Sequence, residues 1–100
     1  MLHLMNKSPF ERNALDSCLR YAKAGSAVLL LEDGVYAALK GTAESAKIEG
    51  AVSDRTVYVI GADLAARGLD EGSVIDGVKV IGYDGFVDAV VEHGTCNSWL

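Results

Sequence analysis

The sequence predicts a single-domain, three-layer α/β fold: a parallel sheet with helices on both faces. Two observations carry this expectation. Strand-like and helical segments alternate along the chain. The clearest strand, Ala27-Val28-Leu29-Leu30-Leu31, is apolar on every residue rather than on every second one. That pattern means burial on both faces, as in the middle of a parallel sheet. One hundred residues are enough for one modest core and not for two, so the domain runs over residues 1–100. No internal repeat, low-complexity tract or linker interrupts it.

Leu2-His3-Leu4-Met5 is short and apolar-leaning and reads as the first strand. The segment Ser8-Pro9-Phe10-Glu11 then spells a helix start. Ser8 can cap the N3 amide, Pro9 at N1 sacrifices no useful donor, and Glu11 can reach back to the cap. Phe10, Ala14, Leu15, Cys18, Leu19 and Ala22 recur at helical steps, Arg20 and Lys23 suit the negative end of the dipole, and Gly25 is a natural left-handed stop. After the buried strand, Glu32-Asp33-Gly34 reads as a turn, and Val35 to Leu39 as a short helix or helical turn. Residues 40–55 are undecided, with a helical turn available over Ala43 to Ile48.

Thr56-Val57-Tyr58-Val59-Ile60 is β-branched and aromatic, a second buried strand. Leu64 to Gly68 reads as a brief helix with Asp63 as its cap and Gly68 as its stop. Val78 to Ile81 reads as the last strand. A final helix follows Tyr83-Asp84-Gly85-Phe86, with Val87, Val90 and Val91 as its apolar stripe; Gly85 and the valines give it weak intrinsic propensity. The tail, His93 to Leu100, is polar until Trp99-Leu100 and is expected to dock its Trp on the core or on a neighbouring subunit.

Half the residues are apolar and mean hydropathy is +0.21, high for so short a chain. Surplus apolar surface on a small domain tends to end in a subunit interface, so an oligomer is expected. No run approaches a membrane span and no signal-peptide layout opens the chain, which points to the cytoplasm. Net charge is −5, all of it in residues 51–100, where three Lys/Arg face eight Asp/Glu. That sign repels phosphate backbones and argues against direct nucleic-acid binding. The two cysteines lie far apart without CxxC spacing and read as reduced thiols.

Cys18 is the sharpest chemical candidate, since a thiolate can carry sulfur as a persulfide and pass it on by exchange. Its helical neighbours Ala14, Leu15, Tyr21 and Ala22 include no cation, and it stands beyond the reach of the helix N-terminus. On the residues alone, a packed inert thiol leads. Cys96 has His93 three residues before it, which favours a thiolate, although tail cysteines are common bystanders. Drawing His3, Cys18, His93 and Cys96 together as a zinc site lacks the tight ligand pairs such sites show, so no metal is expected. Glu32-Asp33 ends a buried strand, where open α/β sheets place their sites, yet no Lys follows the late strand as a phospho-accepting receiver requires. No phosphate-binding glycine loop follows a strand, and no cofactor is expected. His3 reads as a satisfied core or interface histidine.

From end to end the chain resembles the DsrH/TusB family of small sulfur-relay subunits. The resemblance rests on Leu2-His3 with Asn6-Lys7-Ser8-Pro9-Phe10, on Leu29-Leu30-Leu31-Glu32-Asp33-Gly34-Val35-Tyr36-Ala37-Ala38, and on Val57-Tyr58-Val59. It continues through Asp63-Leu64-Ala65-Ala66-Arg67-Gly68, Tyr83-Asp84-Gly85-Phe86-Val87 and Trp99. The Ser8 to Asn13 segment followed by Ser17-Cys18 looks like the DsrH branch, from bacteria that oxidise stored sulfur. The resemblance implies a heterohexamer with DsrE/TusD-type and DsrF/TusC-type sister subunits. It also implies persulfide transfer to a DsrC/TusE-type acceptor, with Cys18 as candidate persulfide carrier and the main catalytic cysteine on the DsrE/TusD-type sister. Two alternatives accompany it: a non-catalytic docking subunit of that complex, and the equivalent relay for 2-thiouridine modification of tRNA.

Overall fold

The computed structural model describes residues 1–6, 18–20, 22–23, 25–94 and 96–99, the last four as backbone. Five parallel strands form one sheet in the order β4-β3-β2-β1-β5. They are β1 (Leu2–Met5), β2 (Ala27–Leu30), β3 (Thr56–Ile60), β4 (Lys79–Ile81) and β5 (Cys96–Trp99). The expected helix start at Ser8-Pro9-Phe10-Glu11 lies outside the described residues. Cys18, Leu19 and Arg20 are helical, and Gly25 adopts φ +87°, the left-handed conformation expected of a stop.

β1 to β4 are laid down side by side in one direction, and the chain then returns across the sheet to β5. Right-handed crossovers place the helices of the first three connections on one face and the returning helix on the other. Two separate apolar clusters match this. On one face Val28, Leu30, Val57 and Val59 pack with Cys18, Ile48 and Leu64; on the other Leu2, Ala27, Leu29 and Ile60 pack with Ala89, Phe86 and Val90. The three-layer parallel architecture expected from the unalternating strands is therefore present.

Between strands, Glu32–Ala38 is a 3₁₀ segment, and helices α1 (Ser45–Ala51), α2 (Gly61–Ala66) and α3 (Tyr83–His93) follow. The undecided stretch 40–55 resolves through Ser45. Its buried hydroxyl donates to Leu39 O at 2.7 Å and accepts from the Thr42 amide at 2.8 Å, tying the turn to the start of α1.

Four expectations are corrected. Asp63 does not cap α2: Ile60 is the N-cap and Asp63 sits in the first turn with its carboxylate turned elsewhere. Glu32 and Asp33 begin the 3₁₀ segment rather than forming a separate turn. Val78 to Ile81 does not end the strand order, because Cys96–Trp99 in the tail pairs in parallel with β1 as an edge strand. Its polar residues are compatible with an edge, where burial is incomplete. The placement of the Trp99 side chain lies outside the described residues.

The fourth concerns α3. Val87 and Val91 do not face the core; Ala89 does, with Phe86 and Val90 half-buried. A Cβ on Gly85 would stand 2.8 Å from Ile81 Cβ, so glycine here lets the helix lie close on β4. The small residues face inward, and the 3.6-residue period then turns Tyr83, Val87 and Val91 outward.

Candidate functional site

Cys18 lies on the helical segment against the sheet, 0 % exposed, among Met5, Ala22, Val28 and Leu30 of the larger cluster. The cation missing from its own helix arrives from the loop before β3. Arg55 Nε donates to Ala22 O at 2.5 Å, and Arg55 also forms an ion pair with Asp54 at 3.0 Å. Arg55 thus holds the C-terminal turn after Cys18, where carbonyls lack helical partners. Its charge draws the thiol pKa down, but burial acts more strongly and pushes it up to about 12. Such a thiol is almost entirely protonated at neutral pH and is a poor nucleophile.

A second constellation forms at the carboxyl ends of β2, β3 and β4. Glu32 sits at φ +51°, a left-handed conformation unusual for a residue with a side chain. Its amide donates to Asp63 Oδ2 at 2.8 Å, and the Tyr83 hydroxyl donates to Asp63 Oδ1 at 3.2 Å. Arg67 Nε donates to Asp33 Oδ1 at 3.0 Å and Arg67 Nη1 to Asp63 O at 3.2 Å. Hydrogen bonding to the Asp63 carboxylate, first, and its charge, second, hold the Tyr83 phenol above its usual pKa. Three segments that carry the family resemblance, around Glu32-Asp33, Asp63–Arg67 and Tyr83, thus meet at one place. Both Asp63 oxygens and the Arg67 guanidinium are already engaged, so the cluster acts as a clasp across three loops rather than a reactive centre.

Behind the clasp, β1 and the 3₁₀ segment touch through backbone. Leu31 N donates to Met5 O at 3.1 Å, and a Cβ on Gly34 would stand 2.1 Å from that same oxygen. Only glycine permits this approach.

The other candidates do not converge on Cys18. His93 is hydrogen-bonded through Nε2 to Tyr58 Oη at 3.3 Å, with Lys79 Nζ 6.0 Å above the Tyr58 ring. Burial, first, and the Glu92 charge, second, raise the Tyr58 pKa. Cys96 stands opposite Leu2 in the β1–β5 register, and its side chain is outside the described residues. His3 is 2 % exposed, and burial, with the nearby N-terminus a smaller cause, lowers its pKa. Among the described residues no three His, Cys, Asp or Glu side chains are grouped to hold a metal ion. Sequence reasoning missed Arg55, Asp63 and Tyr83 as partners, since each joins residues at least 20 positions away.

Comparison with known proteins identifies what the chain is similar to. The family model for DsrH like protein matches residues 7–96. Protein TusB of Pectobacterium parmentieri is 37 % identical over 99 residues, covering 99 % of this chain and all of the relative. Protein TusB of Escherichia coli (strain K12 / DH10B) is 34 % identical over 99 residues with the same coverage. Among solved structures, the ychN protein from E. coli superposes with a TM-score of 0.81 at 16 % identity, over 97 % of both chains, a likeness of fold. Tm0979 from Thermotoga maritima superposes with a TM-score of 0.67 at 26 % identity, over 95 % of this chain and 97 % of the other. Matched along almost its whole length by both the DsrH model and the TusB relatives, the chain belongs to the DsrH/TusB family of sulfur-relay subunits.

Proposed function

We propose that this chain is a docking subunit of a cytoplasmic sulfurtransferase complex, in which Cys18 is a packed thiol and sulfur travels on a sister subunit. The single observation that carries this is the burial of Cys18 with its pKa pushed up to about 12. The relay step needs a thiolate on the acceptor to attack the outer sulfur of a persulfide. The S–S bond then breaks, and the donor leaves as a thiolate with the electron pair, with no net oxidation. A thiol protonated across the physiological range serves neither role well. DsrE/TusD-type and DsrF/TusC-type sisters are the proposed partners, in a heterohexamer that delivers sulfur to a DsrC/TusE-type acceptor.

The experiment is intact mass of each subunit in the reconstituted complex after exposure to a persulfide donor, followed by peptide mapping and a chase with the acceptor. Sulfur on a sister subunit alone is the expected result. Sulfur on Cys18 that chases onto the acceptor, and is lost in Cys18→Ser, would replace the docking role with a carrier role.

The DsrH-like segment Ser8 to Asn13 with Ser17-Cys18 supports sulfur oxidation as the destination. The TusB names of the relatives favour a second reading, 2-thiouridine formation in tRNA. Deleting the chain separates them: loss of thiolated tRNA supports the second reading, and loss of stored-sulfur oxidation with intact tRNA supports the first.

A further inference from the structure

The outward side of α3 is built unlike a solvated surface. Tyr83, Val87 and Val91, at four-residue steps, are 58, 62 and 77 % exposed, and they make up three of the four exposed large apolar side chains among the described residues. Beside them Phe86 and Val90 are half-buried, and with Val87 and Val91 they line a shallow groove of about 170 Å³. Along the other flank run Asp84, Asp88 and Glu92, also at four-residue steps and all exposed. One helix therefore presents an apolar ridge and groove edged by three carboxylates. Exposed valines gain nothing from water, and a contiguous apolar strip with a charged rim is the anatomy of an interface.

We propose that this face of α3 docks a partner element that carries an apolar ridge flanked by Lys or Arg. The proposal deepens the docking reading above and rests on it, naming the surface and the chemistry of its occupant. Charge disfavours a second copy docked antiparallel on this face. In an antiparallel pairing about a two-fold axis, each flank of a helix meets the same flank of its mate, so Asp84, Asp88 and Glu92 would face themselves. A basic flank on the occupant turns the same geometry into attraction, which sets register and partner choice. The chain's own charge points the same way, since its whole excess of −5 falls in residues 51–100.

The test uses this chain co-expressed with its two sister subunits. Two variants probe the two halves of the surface: Val87→Asp/Val91→Asp for the ridge, and Asp84→Lys/Asp88→Lys/Glu92→Lys for the flank. All five positions are exposed, and circular dichroism with a thermal melt verifies that the variant chains fold. Each variant is expected to weaken association about tenfold or more, which corresponds to about 1.4 kcal/mol. Raising salt from about 0.1 M to about 1 M, which shortens the screening length from about 10 Å to about 3 Å, should weaken the wild-type complex and, by screening like-charge repulsion, strengthen association of the flank variant. Wild-type association in both variants would overturn the proposal. So would tighter binding by the flank variant, or a homodimer of the isolated chain that Val87→Asp/Val91→Asp abolishes. Failure of the unmodified chain to associate with the sisters would instead sink the docking reading itself.

Discussion

At the scale of the residue, Cys18 and Gly34 show how burial decides chemistry. With its pKa pushed up to about 12, Cys18 at pH 8 is almost entirely protonated. Iodoacetamide should therefore leave Cys18 unmodified in the native chain and alkylate it once urea unfolds the domain, as peptide mapping would record. The raised pKa also carries a sign. Its stabilising contribution is complete below the unfolded thiol value and is lost as pH rises towards 12, so alkaline conditions destabilise the fold. Cys18→Ser keeps the shape but places a hydroxyl in an apolar cluster, which should cost about 1–3 kcal/mol in a urea titration. Gly34→Ala drives a Cβ to 2.1 Å from the Met5 carbonyl oxygen, where backbone rather than a flexible side chain must yield. A loss of about 3 kcal/mol or more is expected, read from the same titration.

His3 runs in the opposite direction. Burial lowers its pKa, so the folded chain binds fewer protons than the unfolded one at mildly acidic pH. The stability it contributes is present above the unfolded value near about 6.5 and falls away as pH drops through the lower folded value. Melting temperature should therefore fall from pH 7 towards pH 5, and His3→Gln should flatten that slope.

Among elements, α3 sets two effects against each other at one residue. Replacing Gly85 with Ala gains about 1 kcal/mol of helix propensity. The added methyl meets Ile81 Cβ at 2.8 Å, and overpacking of that kind costs about 1–3 kcal/mol. The clash is expected to win, because the contact is with the branched base of Ile81 rather than its tip. A lower melting temperature for Gly85→Ala would bear this out, and a higher one would mean that α3 can lift from the sheet. The clasp at the strand ends follows the same logic. It relies on Asp63, whose carboxylate holds the strained Glu32 backbone and the start of α3 together.

For the whole molecule, the edge strand β5 is the element that closes the sheet. It covers β1, the first strand in the chain, and leaves β4 as the opposite edge. Deleting residues 95–100 would uncover the hydrogen-bonding edge of β1. Unpaired edges recruit other strands. The truncated chain should unfold at lower urea and self-associate on size exclusion, whereas an unchanged profile would make β5 a passive appendage.

The layers were legible in the residues themselves. Unbroken apolar runs such as Ala27–Leu31 can be satisfied only by burial on both faces, and alternation of strands with helices then leaves a parallel sheet as the economical arrangement. Gly25 and Gly68 marked left-handed positions for the same local reason, and both adopt positive φ. Local chemistry does not say which residues meet across the fold. Asp63 looked like a cap because caps are short-range devices, yet its partners, Glu32 and Tyr83, come from neighbouring strand ends. Val87 and Val91 looked like core because they are apolar; the inward side of α3 was instead claimed by Gly85 and Ala89, whose small size allows close packing. Arg55 reached the turn after Cys18 only because β2 and β3 are adjacent. The sequence by itself determined the class of fold and the thiol worth testing, through periodicity and residue chemistry. Only the tertiary structure decided that the thiol is buried and that an apolar helix face is left open. Both depend on how elements distant in the chain pack, which no local pattern encodes.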